Sequence, residues 1–93
     1  MKYYLNDNNM HPKGDSWLYV SDLMTIGQQF YKLKGFLRSI STYHSYHPDY
    51  NYYLGGAEYF TGNKDTGTAL IKKAARAGSK PAINMLKQSG VSY

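Results

Sequence analysis

Apolar residues recur at every third or fourth position along most of the chain, which is the spacing of one face of an α-helix. The first run predicts a long helix with Asp15 or Ser16 as its N-cap and Lys34-Gly35 at its end, where a cation and then a glycine favour termination. Gly27 falls inside this run and is interpreted as a close crossing of two helices rather than a break. The apolar positions of the run are Trp17, Val20, Leu23, Ile26, Phe30 and Leu33.

Two further helices are predicted in the middle of the chain. A short one covers residues 36–44, and a third opens at Pro48-Asp49, because proline fits the first turn and an acid suits the N-terminal dipole. Gly62-Asn63 ends that third helix. Its predicted inward face comprises Tyr50, Tyr53, Leu54, Ala57 and Phe60.

The remaining pattern predicts a fourth helix capped by Asp65 or Thr66 and ended by Gly78, with a last helix from Ser79-Lys80-Pro81 to Ser89-Gly90. The inward positions are Gly67, Leu70, Ile71, Ala74 and Ala75 on the fourth helix and Ala82, Ile83 and Leu86 on the last. The predicted fold class is therefore all-α, with about five helices in a single domain.

Internal repetition divides that domain. His47-Pro48 aligns with Lys80-Pro81 at an offset that also brings Tyr50 onto Ile83 and Tyr53 onto Leu86. Helix pairs that recur with a period in the low thirties are typical of tetratricopeptide-like solenoids. The predicted organisation is an irregular N-terminal arm (1–15), a degenerate first repeat (16–47), a second repeat (48–79) and a terminal half-repeat helix (80–90).

The small residues of the second half carry a family resemblance. Gly56-x-x-Tyr59-x-x-Gly62, Asp65, Lys73-Ala74-Ala75-x-x-Gly78 and Ala82-x-x-x-Leu86 together resemble the Sel-type tetratricopeptide-like repeat. The match is good over about residues 50–86 and faint over 17–47, where Leu33 stands at a position that the family fills with glycine. The resemblance implies a right-handed stack of antiparallel helix pairs that serves as a protein-binding scaffold without catalysis. The motif residues that it covers are structural.

Composition narrows the function classes. The 93 residues include no cysteine, which excludes a disulfide framework and a thiolate site. No apolar run has the length of a membrane span or the form of a signal peptide, so the expected location is cytoplasmic. Eleven Lys and Arg residues outnumber six Asp and Glu residues, giving a net charge of +5, which suits an acidic protein, a nucleic acid or an anionic surface as partner.

Catalytic chemistry has few candidates. His44-x-x-His47 could present two imidazoles to a metal ion on a helix, but Pro48 disrupts that geometry, and we interpret the pair as structural or exposed. Glu58 and scattered aspartates form no acid–base pair, and Gly55-Gly56 lacks the rest of a phosphate-binding loop. We expect no catalytic residue, no metal site and no cofactor.

Tyrosines and a basic strip are the candidate binding residues. The chain has eleven tyrosines, and tyrosine is enriched at interaction hot spots. The alternatives are that the tyrosines only cover the seam between repeats and that the lysines only form a solvated face. The predicted partner-binding residues are Tyr43, Tyr46, Tyr50, Tyr52, Arg38, Lys72, Lys73 and Arg76.

Two functions follow from these observations. The first is a small interaction module that binds and modulates a partner protein, as an adaptor, inhibitor or immunity-type factor does, of a kind expected in bacterial or mobile-element genomes. The alternative is a basic, tyrosine-rich nucleic-acid-binding protein, whose binding would weaken steeply with salt. Because so short an array leaves apolar ends, either the N-terminal arm covers one end or the protein forms a homodimer.

Overall fold

The computed structural model describes residues 16–93, and this part of the chain is all-helical, with six helices and no strand. The all-α prediction is confirmed. The predicted arm at 1–15, and with it Asp15 as a helix cap, lies outside the described residues. The helices are α1 (Ser16–Ile26), α2 (Phe30–Ser39), α3 (Ser41–His44), α4 (Pro48–Phe60), α5 (Lys64–Arg76) and α6 (Lys80–Ser89).

The first predicted helix is in fact two helices. α1 ends at Ile26, and Gln28 adopts a left-handed conformation with φ 57°. The Gln28 and Gln29 amides turn back to donate to the Thr25 and Met24 carbonyl oxygens, at 3.1 and 2.8 Å. This pair of bonds is a Schellman motif, which closes a helix end. The interpretation of Gly27 as a crossing inside a continuous helix is therefore wrong.

The same motif closes four helix ends. At each one a residue in the left-handed region is followed by an amide that reaches back five residues. The left-handed residue is Gln28 after α1, Gly62 after α4, Gly78 after α5 and Gly90 after α6. The predicted helix ends at Gly62, Gly78 and Gly90 are confirmed, whereas Gln28 provides no glycine signal in the sequence.

The position of α2 also changes the next predicted helix end. Because α2 starts at Phe30, Lys34-Gly35 lies inside a helix and not at its end, and the predicted helix end there is wrong. Leu33 and Leu37, on either side of this pair, are fully buried. The predicted helix over 36–44 is also two elements, since Ile40 separates the end of α2 from the single turn of α3.

A side chain that accepts a backbone hydrogen bond caps the start of α4 and of α6, but not that of α5. α4 begins at Pro48 as predicted, and His47 Nδ1 accepts from the Asp49 amide at 3.1 Å. α5 begins at Lys64 with Asn63 as its N-cap residue, so the prediction of Asp65 or Thr66 as cap is wrong. The Asn63 side chain makes no cap and instead donates to Glu58 Oε1 at 2.8 Å.

Contacts between the helices fix their directions. The Phe30 and Phe60 rings stack at 4.8 Å and the Tyr50 hydroxyl donates to the Leu37 carbonyl oxygen at 2.6 Å, so α2 and α4 are antiparallel. Trp17 lies 6.1 Å from Tyr50 between ring centres, while further along α1 Asp22 accepts from the Tyr53 hydroxyl, so α1 and α4 are parallel. α6 packs against both α5 and α4, which places α4 between α1 and α6.

Two glycines bring α4 and α5 together. A methyl group added at Gly55 would lie 2.8 Å from the Gly67 carbonyl oxygen, and one at Gly67 would lie 2.5 Å from the Gly55 carbonyl oxygen. The left-handed residues that end α1 and α4, Gln28 and Gly62, are 34 residues apart. At the same offset before Gly55 and Gly67 stand Ser21 and Leu33, both fully buried. α1 and α2 accordingly touch over far less of their length than α4 and α5 do.

The apolar core has two parts, one on each side of α4. The first cluster joins α1, α2 and α4 through Trp17, Leu33, Leu37, Tyr50, Tyr53 and Ala57. The second joins α5 and α6 through Ile71, Ala74, Ala75, Ala82 and Leu86. Tyr52 packs against both clusters. Phe60, predicted to face inward, is 61% exposed.

Glu58 is a buried carboxylate that the apolar pattern does not reveal. It lies 3.2 Å from Lys34 Nζ and 3.4 Å from Arg38 Nη2, both on α2, and it accepts from Asn63 in the turn before α5. The Asn63 hydrogen bond, together with the charge and hydrogen bond of Lys34, lowers the pKa of Glu58 against the opposing effect of its burial. One side chain therefore connects α2, α4 and the α4–α5 turn.

Substitution by alanine should have opposite effects on stability at Gly67 of α5 and at Gly56 of α4. Gly67→Ala should destabilise the fold by about 1–3 kcal/mol, because backbone atoms cannot move away from the new methyl group. Gly56→Ala should stabilise it by about 0.5–1 kcal/mol, because alanine favours the helix and its Cβ would meet no atom within 4 Å. Urea unfolding of the two variants measures both effects, and a stabilised Gly67→Ala variant would refute the close crossing.

The left-handed Gln28 predicts a stabilising substitution. Gln28→Gly should raise the free energy of unfolding by about 1 kcal/mol, since a residue with a Cβ is strained in that conformation and glycine is not. Gln29→Gly, one residue further on at the N-cap of α2, is the matched control and should give no such gain. Thermal and urea unfolding provide the measurement, and equal effects of the two variants would contradict the assigned helix end.

The Glu58 contacts predict an acid-sensitive contribution to stability. Because the pKa of Glu58 is lowered from its usual 4.5 in the folded chain, the stabilisation is present above that pH and is lost as the pH falls below it. Glu58→Gln should cost about 1–3 kcal/mol at neutral pH, since it removes the carboxylate beside the mostly buried Lys34 ammonium and leaves that ammonium only its hydrogen bond to the Thr61 hydroxyl. The variant should also show a flatter dependence of stability on pH between about 5 and 3. If the variant lost as much stability at pH 3 as at neutral pH, this role of Glu58 would be excluded.

Candidate functional site

An open apolar groove of about 350 Å³ lies between the second halves of α4 and α6, with α5 as its floor. α4 contributes Tyr59 and Phe60 on one side, and α6 contributes Met85 and Leu86 on the other. Thr68 and Ile71 from α5, Gly56 from α4, and Ser89 and Val91 at the end of α6 complete the lining.

Small side chains explain why the groove is open. A Cβ at Gly56 would meet no atom within 4 Å, so the space above this position of α4 is empty. Thr68 and Ser89 are the short side chains that α5 and α6 contribute there. Gly55, the neighbour of Gly56, is the glycine that the α4–α5 crossing requires. The Gly55-Gly56 pair thus combines one packing position with one groove position.

A smaller depression continues the apolar surface towards α1. It has a volume of about 30 Å³ and shares Gly56, Phe60 and Met85 with the groove. Its other side includes Thr25 from α1 and Tyr52 from α4. The side of the molecule formed by α1, α4 and α6 therefore presents connected apolar recesses around the exposed Phe60 ring.

Charge is distributed unevenly around this surface. Residues 61–93 contain six basic residues and one acid, Asp65, a net charge of +5, whereas residues 1–60 contain five of each sign. The whole formal net charge therefore belongs to the part of the chain that forms α5 and α6. Lys64 lies at the edge of the groove, with Nζ 5.6 Å from the centre of the Tyr59 ring. Among residues 16–93, none that lines the groove is charged.

The predicted tyrosines occupy different environments. Tyr43 and Tyr46 are 59% and 90% exposed and lie in and just after α3, towards the start of α4, whereas the groove lies along its second half. Tyr52 is half-buried and borders the smaller depression. Burial is the main cause that raises its pKa, with Asp22 and Asp49 adding to the effect.

Tyr50 is not a surface residue. It is only 4% exposed, its hydroxyl donates to the Leu37 carbonyl oxygen, and burial raises its pKa. The assignment of Tyr50 as a partner-binding residue is corrected accordingly, because an inward ring at the first turn of α4 cannot contact another molecule. Its role is to join α2 to α4.

The predicted basic residues lie on two different helices. Arg38 is on α2, where its guanidinium contacts Glu58. Lys72, Lys73 and Arg76 are on α5, with Lys72 half-buried and the other two exposed. Arg76 Nη1 donates to the Tyr93 carbonyl oxygen at 3.2 Å. The predicted basic residues therefore belong to two helices, α2 and α5, each of which packs against α4.

The groove residues were missed from the sequence for a definite reason. Phe60 continues the apolar spacing of α4 and was assigned to the core, and Met85 carries no signal that separates a core residue from a groove residue. The one usable signal was the second glycine of Gly55-Gly56. The crossing with α5 requires only Gly55, so the second glycine, Gly56, has no packing role there.

The two histidines within residues 16–93 have structural contacts. The His44 ring lies 5.0 Å from the Trp17 ring and His47 lies 5.4 Å from it, while His47 also caps α4. Within residues 16–93, no three His, Cys, Asp or Glu side chains come together as a metal site. No helix in this same range is long and apolar enough to cross a membrane.

Comparison with known proteins gives no relative. No family model matches the chain, and neither a curated protein nor a solved structure is significantly similar to it. The resemblance to Sel-type repeats stays a prediction from the sequence.

Proposed function

We propose that this protein is a non-catalytic interaction module that binds an acidic segment of a partner protein in the groove between α4 and α6. One observation carries the proposal: an apolar groove of about 350 Å³ takes six of its nine lining residues from residues 61–93, the part of the chain that holds the entire net positive charge. In the cell, such a protein would act as an adaptor, an inhibitor or an immunity-type factor.

The lining supports a protein ligand. Aromatic and methionine side chains are enriched at the centres of protein interfaces, and methionine adapts its shape to different apolar partners. Tyr59, Phe60 and Met85 supply these groups, and Phe60 is 61% exposed. Apolar side chains of a partner would enter the groove and displace water from these surfaces.

The charges around the groove support an acidic partner. Lys64 stands at the groove edge and Lys72 follows Thr68 by one turn of α5. Such surrounding charge acts mainly on association rate and on the choice of partner. The exposed Lys73 and Arg76 extend the basic surface of α5 beyond the groove.

The proposal also includes a repeat architecture for the helices. α1 with α2 and α4 with α5 would be successive helix pairs of a short right-handed Sel-type stack in a single cytoplasmic domain, and α6 would be a terminal half repeat. The repeated Schellman motifs and the central position of α4 support this arrangement. The exposed Tyr43 and Tyr46 would then offer a second, separate contact with a large partner.

Nucleic acid is the competing ligand, because the basic residues of 61–93 would also attract phosphates. The uncharged lining of the groove favours a protein. The two ligands respond differently to salt, since nucleic-acid binding weakens with a steep log–log slope.

A pair of glycine substitutions tests the proposal. Gly56→Leu should fill the groove and lower affinity for the partner more than tenfold, while the helix stays intact because the position has open space. Gly35→Leu is the matched control, since Gly35 is also inside a helix and also has no atom within 4 Å of its Cβ position. The measurement compares partner captured by immobilised wild type and both variants, followed by calorimetric titration of the purified partner.

The outcomes separate the two ligands. A protein that binds wild type and Gly35→Leu but not Gly56→Leu supports the proposal. Equal capture by all three proteins contradicts the groove as the site. Binding of single-stranded DNA or RNA that disappears between 50 and 200 mM salt, and is indifferent to Gly56→Leu, would establish the nucleic-acid alternative.

A further inference from the structure

The turns before α2 and α5 have the same construction, so residues of the first helix pair (α1 with α2) can be matched to those of the second (α4 with α5). The amides of Gln29 and Asn63 each donate to the carbonyl oxygen five residues earlier, at 2.8 Å in both turns. Both residues are N-caps, and the next residue begins the helix. The match places Phe30, the first residue of α2, at the position that Lys64 has in α5.

Phe30 occupies the space beside α4 in the first pair. Its ring stacks on the Phe60 ring, with 4.8 Å between the ring centres and 22° between the planes. Phe30 lines the smaller depression between α1 and α4 together with Thr25, and the space left open there is only about 30 Å³. The first pair therefore fills this recess with an aromatic ring of its own.

The second pair leaves the corresponding space open. Thr25 matches Tyr59, which lines the groove, and Phe30 matches Lys64, which lies at the groove edge. Lys64 is exposed, and its Nζ atom lies 5.6 Å from the centre of the Tyr59 ring. The groove has a volume of about 350 Å³, against about 30 Å³ in the first pair. Lysine in place of phenylalanine thus removes a ring and adds a cation.

The lining of the groove offers contacts that an aromatic ring prefers. Tyr59 and Phe60 present ring surface on the α4 side, and Met85 presents a thioether on the α6 side. Aromatic rings pack favourably on one another in offset-stacked or edge-to-face geometry, and thioether sulfur makes favourable contacts with ring edges. Phe60 lines both recesses, so a ring in the groove would contact the same side chain that Phe30 stacks on.

The ammonium group of Lys64 adds a requirement for negative charge. No carboxylate among residues 16–93 forms an ion pair with it, whereas Lys34 of α2 is paired with Glu58. A carboxylate next to a ring in the groove would lie within reach of this ammonium group. An exposed ion pair adds little affinity, but it directs the choice of partner.

We propose that the groove recognises an aromatic side chain with a carboxylate beside it in the partner segment. The ring takes the place in the second pair that Phe30 has in the first, and the carboxylate pairs with Lys64. The inference rests on the proposed function and deepens it by naming the chemistry of the ligand. An aliphatic side chain would lose the ring contacts, and an anion without a ring would leave the apolar lining uncovered.

The first experiment uses three short peptides as probes. Acetyl-Asp-Phe-Asp-amide has an acid on each side of the ring, Asn-Phe-Asn removes the charges, and Asp-Leu-Asp removes the ring. In NMR titrations followed at the Met85 methyl group, Asp-Phe-Asp should bind about threefold to tenfold more tightly than Asp-Leu-Asp. It should bind about twofold to fivefold more tightly than Asn-Phe-Asn. Lys64→Gln should abolish only the second preference.

The peptides also define the results that would overturn the proposal. Equal affinity for Asp-Phe-Asp and Asp-Leu-Asp would show that the groove does not select a ring. Equal affinity for Asp-Phe-Asp and Asn-Phe-Asn, or a preference that persists in Lys64→Gln, would show that Lys64 does not select a carboxylate. Absence of binding by all three peptides would exclude the groove as a site of this kind.

The second experiment restores the ring from within the chain. Lys64→Phe should fill the groove as Phe30 fills the first recess, so it should raise the midpoint of urea unfolding. It should also weaken binding of the uncharged Asn-Phe-Asn peptide more than tenfold, an effect that loss of the Lys64 charge does not explain. Lys32→Phe, a matched change at an exposed position of α2 that lines neither recess, should do neither. Unchanged peptide binding by Lys64→Phe would refute the proposal.

Failure of this inference and failure of the proposed function give different results. A captured protein that is lost with Gly56→Leu but binds Lys64→Phe as it binds the wild type would retain the function of the groove and refute the aromatic site. If no protein is captured at the groove while the peptides bind as described, the recognition chemistry stands and the protein partner is refuted.

Discussion

The close approach of α4 and α5 at Gly55 and Gly67 is the constraint on which the rest of the structure depends. At this crossing the backbone of one helix lies where the other would place a Cβ atom. With α5 held there, α6 packs across both helices, and α4 becomes the central helix that α1, α2 and α6 all contact. The groove is a consequence, because α6 lies beside a stretch of α4 whose next residue, Gly56, has no side chain to fill the space.

Polar side chains of α4 also connect this helix to its neighbours. Tyr50 binds a backbone carbonyl of α2, Tyr53 binds Asp22 of α1, and Glu58 joins Lys34 and Arg38 to the α4–α5 turn. All three lie on α4. A buried carboxylate is stable only when paired and hydrogen-bonded, and Glu58 meets that condition with groups from two other elements. The helix that the glycines place at the centre thus also carries the polar contacts that fix its neighbours.

The first half of the described chain shows what happens without such a glycine pair. Ser21 and Leu33 fill the positions that correspond to Gly55 and Gly67, and α1 approaches α2 less closely. α1 instead packs through Trp17 against Tyr50 and the two histidines before α4. Its opposite face stays apolar and exposed, while the last helix shows lysines to solvent. The two edges of the fold therefore have different chemistry.

The sequence by itself determined the all-α class, the start of α4 at Pro48 and the helix ends at Gly62, Gly78 and Gly90, because proline and left-handed glycine act through local backbone geometry. It also indicated Gly67, Ala74 and Ala75 as inward positions of α5, but its motif named Gly56 and not Gly55 as the packing glycine of α4. The tertiary structure alone decided the break at Gln28, the burial of Glu58 and the exposure of Phe60, whereas the apolar spacing had already placed Tyr50 on an inward face. These outcomes depend on which helix lies opposite each face, and helical spacing cannot tell a core from a groove. The eight residues predicted to bind a partner lie on several elements for the same reason: Arg38 is on α2, the tyrosines are in or near α3 and α4, and the other basic residues are on α5.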